Sequence, residues 1–225
     1  MRRGASLDRG AQAAGAQPGG AGDAGGPSRS HARAGIAARR LYGTGMSPSA
    51  PWPAPTPIET RRLVLEPLRI EHAEEMAAVL DDRALYEFTG GEPPRLAELR
   101  ARYVRQVAGH SPDGAQGWLN WVMRHRSQRV LVGSVQATLT SENGQMAAAI
   151  AWTVGIAHQR RGYATEAATP MVQWLRRQGV VTLVAHVRPG HDASIGVARR
   201  LGLVATGLIV DGETEWASPH RARVP

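Results

Sequence analysis

Residues 150–168 read Ile150-Ala-Trp-Thr-Val154-Gly155-Ile-Ala-His-Gln159-Arg160-Arg161-Gly162-Tyr163-Ala164-Thr165-Glu166-Ala-Ala168. An apolar strand ends at Gly155, two arginines and Gly162 follow, and Tyr163 opens a helix whose first-turn N–H groups find no partner inside the helix. Such a turn can cradle an anion. Glycine lets backbone approach the ligand without a Cβ clash, the helix N-terminus supplies aligned donors and partial positive charge, and Arg160 and Arg161 add full charge. The spacing predicts a pyrophosphate site.

Several other phosphate sites are excluded. The chain has no lysine, all 27 basic residues being arginine, and no Ser or Thr stands where a magnesium-binding hydroxyl would follow, so the loop is not that of a nucleoside triphosphatase. Gly155 and Gly162 are too far apart for the dinucleotide fingerprint. The absence of cysteine removes disulfides, thiolate metal sites and a cysteine nucleophile. No His/Asp/Glu spacing suggests a metal site.

The charge is unevenly spread. Residues 1–57 hold seven arginines against Asp8 and Asp23, which accounts for five of the eight excess positive charges. The high pI therefore points to an arginine-bearing extension and not to a nucleic-acid surface. That extension is rich in Gly, Pro and Ala without hydrophobic periodicity, and Tyr42, Met46 and Trp52 are isolated in it. It is expected to be disordered, with Met46 an alternative start of translation. No secretory signal and no apolar run of membrane-spanning length is visible, so a cytoplasmic protein without a membrane partner is expected.

The elements that must position the cradle lie in residues 58–225, read as one domain. Residues 62–67 alternate as a strand, and residues 70–80 and 95–107 carry apolar residues at helical spacing, separated by a Gly- and Pro-containing loop at 86–94. Three strands follow at 118–126, 130–140 and 146–154 as an antiparallel meander, the last two joined through Asn143-Gly144. Then come the cradle helix 163–177 closed by Gly179, a buried strand 180–187, a helix 193–201 and a hairpin of 203–210 with 213–217. This order predicts an α/β (mixed α+β) fold, a largely antiparallel mixed sheet of about seven strands with helices on both faces.

Two segments carry a resemblance. Gln159-x-x-Gly162-x-Ala164 resembles the Q/R-x-x-G-x-G/A acyl-CoA loop of the GNAT family of N-acetyltransferases. About thirty residues later, His191-Asp-Ala-Ser194-Ile-Gly-Val-Ala-Arg-Arg-Leu-Gly202-Leu is similar to the N-x-A-S…V-A-x-x-L-G-F/L segment of that family, in the branch that acetylates ribosomal-protein N-termini. Thr60-Arg-Arg-Leu63 is similar to that branch's T-x-R-L opening strand. The likeness spans residue 58 to about residue 216.

The resemblance implies a GNAT-like sheet whose strands before and after the cradle helix splay into a V-shaped slot for acetyl-CoA. Backbone groups near Thr153 and Val154 would bind the pantetheine arm, one N–H facing the thioester oxygen. Gln159, Arg160, Arg161, Gly162, Tyr163, Ala164 and Thr165 would hold the pyrophosphate, and His191 would contact the pantetheine. The implied reaction is direct attack of a primary amine, a protein N-terminus or small molecule, on acetyl-CoA in a ternary complex. An alkylamine has a pKa of about 10 and an α-amine about 8, so the acceptor must lose a proton.

The chain departs from the family at both ends of this proton chemistry. Ala198 stands where a tyrosine often acts as acid, and Ala149 where the branch often carries a glutamate. Ser194 is the candidate acid, or else satisfies free amides at its helix start. His191 either titrates near neutrality or caps that helix with Asp192. Glu87 and His186 are the candidates to bind or deprotonate the amine, His186 alternatively being a core residue. Glu166 is read as a complement to the helix dipole. The missing tyrosine and glutamate leave a second reading, a catalytically weak CoA-binding module. A monomer or homodimer is expected.

Overall fold

The computed structural model describes residues 52–142 and 144–219. The segment expected to be disordered lies outside these residues up to residue 51, as do Asn143 of the hairpin signal and residues 220–225.

The eight strands are β1 (Ile58–Glu59), β2 (Leu63–Pro67), β3 (Gly117–His125), β4 (Leu131–Glu142), β5 (Gln145–Val154), β6 (Val180–Val187), β7 (Val204–Val210) and β8 (Glu213–Ala217). They form one sheet in the order β1-β2-β3-β4-β5-β6-β8-β7. All neighbours are antiparallel except β5 and β6, which are parallel and joined through the long helix between them. The two-residue β1, antiparallel to β2, is the strand beyond the expected seven. It is too short to show a period-two pattern in the sequence.

Side chains of directly paired residues share a face. One face carries Leu119, Trp121, Leu139, Ala137, Ile150, Leu183 and Ala185. Onto it pack α3 (Tyr163–Arg177), through Tyr163, Ala167, Met171, Trp174 and Leu175, and α4 (Asp192–Arg200), through Ala198. The spacing of the α3 residues gives the helix a single apolar stripe. The opposite face receives α1 (His72–Val79) and α2 (Leu96–Gln106), whose Ala73, Met76, Leu99 and Tyr103 cluster on Val122 and Leu131. Helices thus cover both faces, as expected.

Residues 52–57 also pack against the domain. Trp52, read from the sequence as isolated, is part-buried against the main core and donates its indole N–H to the Gly114 carbonyl at 3.1 Å. Thr56 accepts the indole N–H of Trp121 on its carbonyl at 2.8 Å and that of Trp174 on its hydroxyl at 2.9 Å. The two indoles meet edge to face with centroids 5.5 Å apart. Buried indole donors need acceptors, and residues 52–57 supply them. That need is invisible in the segment's own composition.

Candidate active site

The register shows where the sheet opens. β5 pairs with β6 from Met146 to Ala149, against Val180 to Val184. Beyond that row β5 continues to Val154 along β4, while β6 continues to Val187 along β8. Residues 150–154 and 185–187 therefore border a gap between neighbouring strands, the splay that the resemblance implies.

Two glycines shape the β5 edge of this gap. A Cβ on Gly133, paired opposite Val154, would stand 2.1 Å from the Thr153 carbonyl oxygen. Only glycine permits that approach. A Cβ on Gly155 would lie 2.9 Å from a Val79 methyl. Because the Gly155 N–H donates to the Val132 carbonyl at 3.0 Å, alternation turns the peptide groups of Thr153 toward β4 and those of Trp152 and Val154 toward the gap. Gln159 reaches back and donates its side-chain amide to the Val154 carbonyl at 3.1 Å. Its side chain thus fixes the turn to the strand end, and the Val154 N–H faces the opening.

The cradle follows. Arg160 holds a left-handed φ of 60° and Gly162, at the N-cap of α3, a φ of 80°. The N-cap Gly162 has no side chain to cap α3, so the first-turn N–H groups from Tyr163 onward lack the partner that a Ser or Asp there would supply. Arg160, Arg161 and Gly162 are exposed, Tyr163 is buried, and Ala164 and Thr165 are intermediate. The geometry fits a doubly charged anion approached by backbone from one side.

What holds the cradle in place was not read from the sequence. Arg62, on the turn before β2, donates its Nε to Glu166 Oε2 at 2.6 Å and its Nη2 to the Arg161 carbonyl at 2.8 Å. The Arg62 backbone N–H and the Thr60 hydroxyl donate to Glu166 Oε1 at 2.7 and 2.8 Å. The guanidinium also lies 4.7 Å from the centroid of Tyr163. Burial works to raise the Glu166 carboxyl, but the hydrogen bonds from Arg62 and Thr60 outweigh it and hold the group below the usual carboxylate range. Glu166 is therefore a tie between the first strand and the cradle helix, a larger role than dipole complementarity. The signal was present in Thr60-Arg-Arg-Leu63, but nothing local links it to a glutamate about a hundred residues away.

The far side of the gap gathers three of the candidates. His191, at the N-cap of α4, makes no side-chain capping bond. It stacks instead on Phe88, centroids 4.3 Å apart and planes at 25°, and its Nε2 lies 3.2 Å from Ser194 Oγ. The hydroxyl of Ser194 thus has a ring nitrogen for a partner. Arg188 donates its Nε to the Phe88 carbonyl at 2.6 Å, tying the loop after α1 to the end of β6. Glu87 precedes Phe88, is exposed, and acts on His191 through its charge. Burial lowers the His191 pKa below the ordinary value, against the opposing pull of Glu87 and Asp192.

His186 lies on β6 beyond the last β5 pair, on the α1/α2 face and apart from Ser194 and His191 on the chain. It pairs across the sheet with Glu215, their side chains 3.8 Å apart at Nε2 and Oε2. Burial lowers its pKa despite the raising effect of Glu215 and Asp211. Ala198 is fully buried in the core, and Ala149 lies in the last paired row. Among the described residues no group of His, Asp and Glu is arranged to hold a metal ion, and no helix is long and apolar enough to cross a membrane.

A mostly antiparallel sheet opened beside a helix N-terminus is the architecture that the resemblance implies. Residues 62–204 match the family model described as an acetyltransferase (GNAT) domain, and the chain belongs to that family. At family level it is thereby an acyl-CoA-dependent acetyltransferase. Solved structures of similar fold include the ribosomal-protein-S5-alanine acetyltransferase from Vibrio fischeri, 16% identical with a TM-score of 0.61, covering 76% of this chain and 100% of that one. They also include RimL, the ribosomal L7/L12 alpha-N-protein acetyltransferase in complex with coenzyme A, at 19% identity, TM-score 0.55 and 72% and 97% coverage. A third is the microcin C7 self-immunity acetyltransferase MccE in complex with acetyl-CoA and AMP, at 14% identity, TM-score 0.58 and 70% and 92% coverage. No curated protein sequence matches the chain.

Proposed function

We propose that the protein transfers an acetyl group from acetyl-CoA to a primary amine, a protein N-terminus or a small molecule, by direct attack in a ternary complex. One observation carries this reading: the β5/β6 gap opens directly beside the uncapped, glycine-started N-terminus of α3. Acetyl-CoA supplies an acyl carbon activated as a thioester. Backbone from Arg160 to Thr165 holds the pyrophosphate, with Gln159 fixing the turn, and the gap-facing edge at Trp152 to Val154 takes the pantetheine amides. The Val154 N–H is aimed where the oxyanion develops. A donor in that role contributes about 3 kcal/mol to the transition state.

The neutral amine, its ammonium proton having passed to water, attacks the thioester carbon; the C–N bond forms and the C–S bond breaks. The proton then lost by nitrogen passes through the Ser194 hydroxyl to the departing sulfur, with His191 Nε2, 3.2 Å away, orienting that hydroxyl. The Arg188 and Phe88 contacts hold Glu87 beside this corner, where its charge favours approach of a cationic amine. The ribosomal-protein enzymes among the similar folds support a peptide N-terminus as one acceptor class. The test is thiol release from acetyl-CoA by the full chain over a panel of N-terminal peptides and alkylamines. Turnover on at least one amine is expected. Tight acetyl-CoA binding without turnover on any of them would overturn catalysis in favour of a binding module.

A further inference from the structure

Four buried side-chain atoms without a hydrogen-bond partner, Asn120 Nδ2, Thr138 Oγ1, His186 Nε2 and Glu215 Oε2, lie on the same side of the sheet. The register shows it. Trp118, Thr138, Ala149, Val184 and Ala217 form one row across five strands. The next row is Asn120, Gln136 and Ala151, then the gap, then His186 and Glu215. On the face away from α3 and α4, His186 thus borders the opening and Glu215 lies one strand beyond it, while Thr138 lies in the last closed row and Asn120 two strands back from the β5 edge. Ala149 and Ala151 present only methyl groups on that face of β5.

Glu215 is the group that most needs a partner. It is only 3% exposed, and among the described residues its Oε2 has no donor, the His186 ring lying 3.8 Å away, beyond hydrogen-bond range. A carboxylate so far from solvent is costly unless a cation or a set of donors meets it. His186 is a poor counter-charge, because its own burial favours the neutral ring. A primary ammonium group carries three N–H donors and a full positive charge, which matches an acceptor-only carboxylate beside a neutral imidazole.

We propose that Glu215, with His186, forms the subsite that receives the acceptor's ammonium group, entering from the α1/α2 face. The inference rests on the acetyltransferase reading for the role of the amine, but the binding site stands on the sheet geometry alone. It takes over, two strands away and on the same face, the acidic function that Ala149 lacks. Its substrate class is a slender primary amine whose ammonium can reach between the strands. A neutral alcohol of the same shape offers neither the charge nor the donors.

The test uses Glu215→Gln in the full chain, with native near-ultraviolet circular dichroism as the folding control. The His186 imidazole resonance is followed by NMR while n-propylammonium or 1-propanol is added. In the unsubstituted protein propylammonium is expected to give a saturable shift and propanol none, with Glu215→Gln weakening the ammonium by about ten- to a hundredfold. In turnover, Glu215→Gln should raise the amine KM by a similar factor while leaving acetyl-CoA affinity unchanged. If the Gln variant fails to fold, Glu215→Asp keeps the charge and should retain the ammonium-over-alcohol preference. Equal response to amine and alcohol, or a Gln variant that titrates like the parent, overturns the proposal. Because the titration needs no turnover, an inert protein that still prefers propylammonium refutes the enzymatic reading and not this subsite.

Discussion

Replacing Gly162 by aspartate separates the cradle's charge from its fold. The left-handed φ of 80° costs a residue with a Cβ about 1 kcal/mol, less for Asp, which tolerates that region better than most. The new carboxylate then sits at the N-terminus of α3, where the helix dipole returns about 0.5 kcal/mol. Its Cβ would lie 3.7 Å from Arg62 Nη2, an ordinary contact, so nothing in the backbone must move. Stability should therefore change by only about 1 kcal/mol. A phosphate held at the same first-turn amides would meet a like charge at about 4 Å, a repulsion of about 1 kcal/mol at water's dielectric and about 4 kcal/mol at that of a protein surface. Acetyl-CoA affinity should fall by roughly fivefold to nearly a thousandfold. Calorimetric titration with acetyl-CoA, paired with urea denaturation, measures both quantities, and Gly162→Ala isolates the Cβ from the charge. An aspartate variant whose affinity stays within about threefold of the alanine variant would refute the cradle assignment.

Gly133→Ala should lower stability by about 2–4 kcal/mol and weaken acetyl-CoA binding, since its Cβ can be admitted only by moving the Thr153 carbonyl at the gap's edge; an unshifted melting temperature would contradict this. Arg62→Met should cost roughly 2 kcal/mol at pH 7 by removing two charge-assisted bonds from a partly buried site. Because the Glu166 pKa is depressed in the fold, the stability it contributes is present above the unfolded carboxyl pKa of about 4.3 and is lost as pH falls through the lower folded value. Denaturation of parent and variant should therefore converge toward pH 3, and a constant difference would count against the tie. Burial lowers the pKa of His72, His158, His186 and His191, so the unfolded chain binds more protons near pH 6. Stability should decline as pH drops from above about 6.5 toward 5, and a protein equally stable at pH 7.5 and 5 would show that these rings titrate normally.

Much of the fold was legible because its signals are local. Alternation and helical spacing located the long elements, and the segments 163–177 and 180–187 were bounded as observed, since Gly162 and Gly179 punctuate the helix with left-handed residues of φ 80° and 90°. The same locality made the turn at Gly162 readable, because the residues that shape it are consecutive in the chain. Local reading assigned no role to Trp52 and Thr56, because they matter only through Gly114, Trp121 and Trp174.

By itself the sequence determined the class of the long elements, the glycine turn that starts the helix 163–177 and, through two motifs in order, the family. It could also say that the usual tyrosine and glutamate are missing. Only the tertiary structure decided what stands in their neighbourhood. The stacking of Phe88 on His191, the tie from Arg62 to Glu166 and the pairing of His186 with Glu215 join residues brought together by loop return or strand register. Charges and donors separated along the chain acquire an interaction energy only once the sheet fixes their distance and removes the water between them. For that reason the turn from Gly155 to Tyr163 could be read from one segment, whereas the pairing of His186 with Glu215 beside the gap became visible only when the strands were laid side by side.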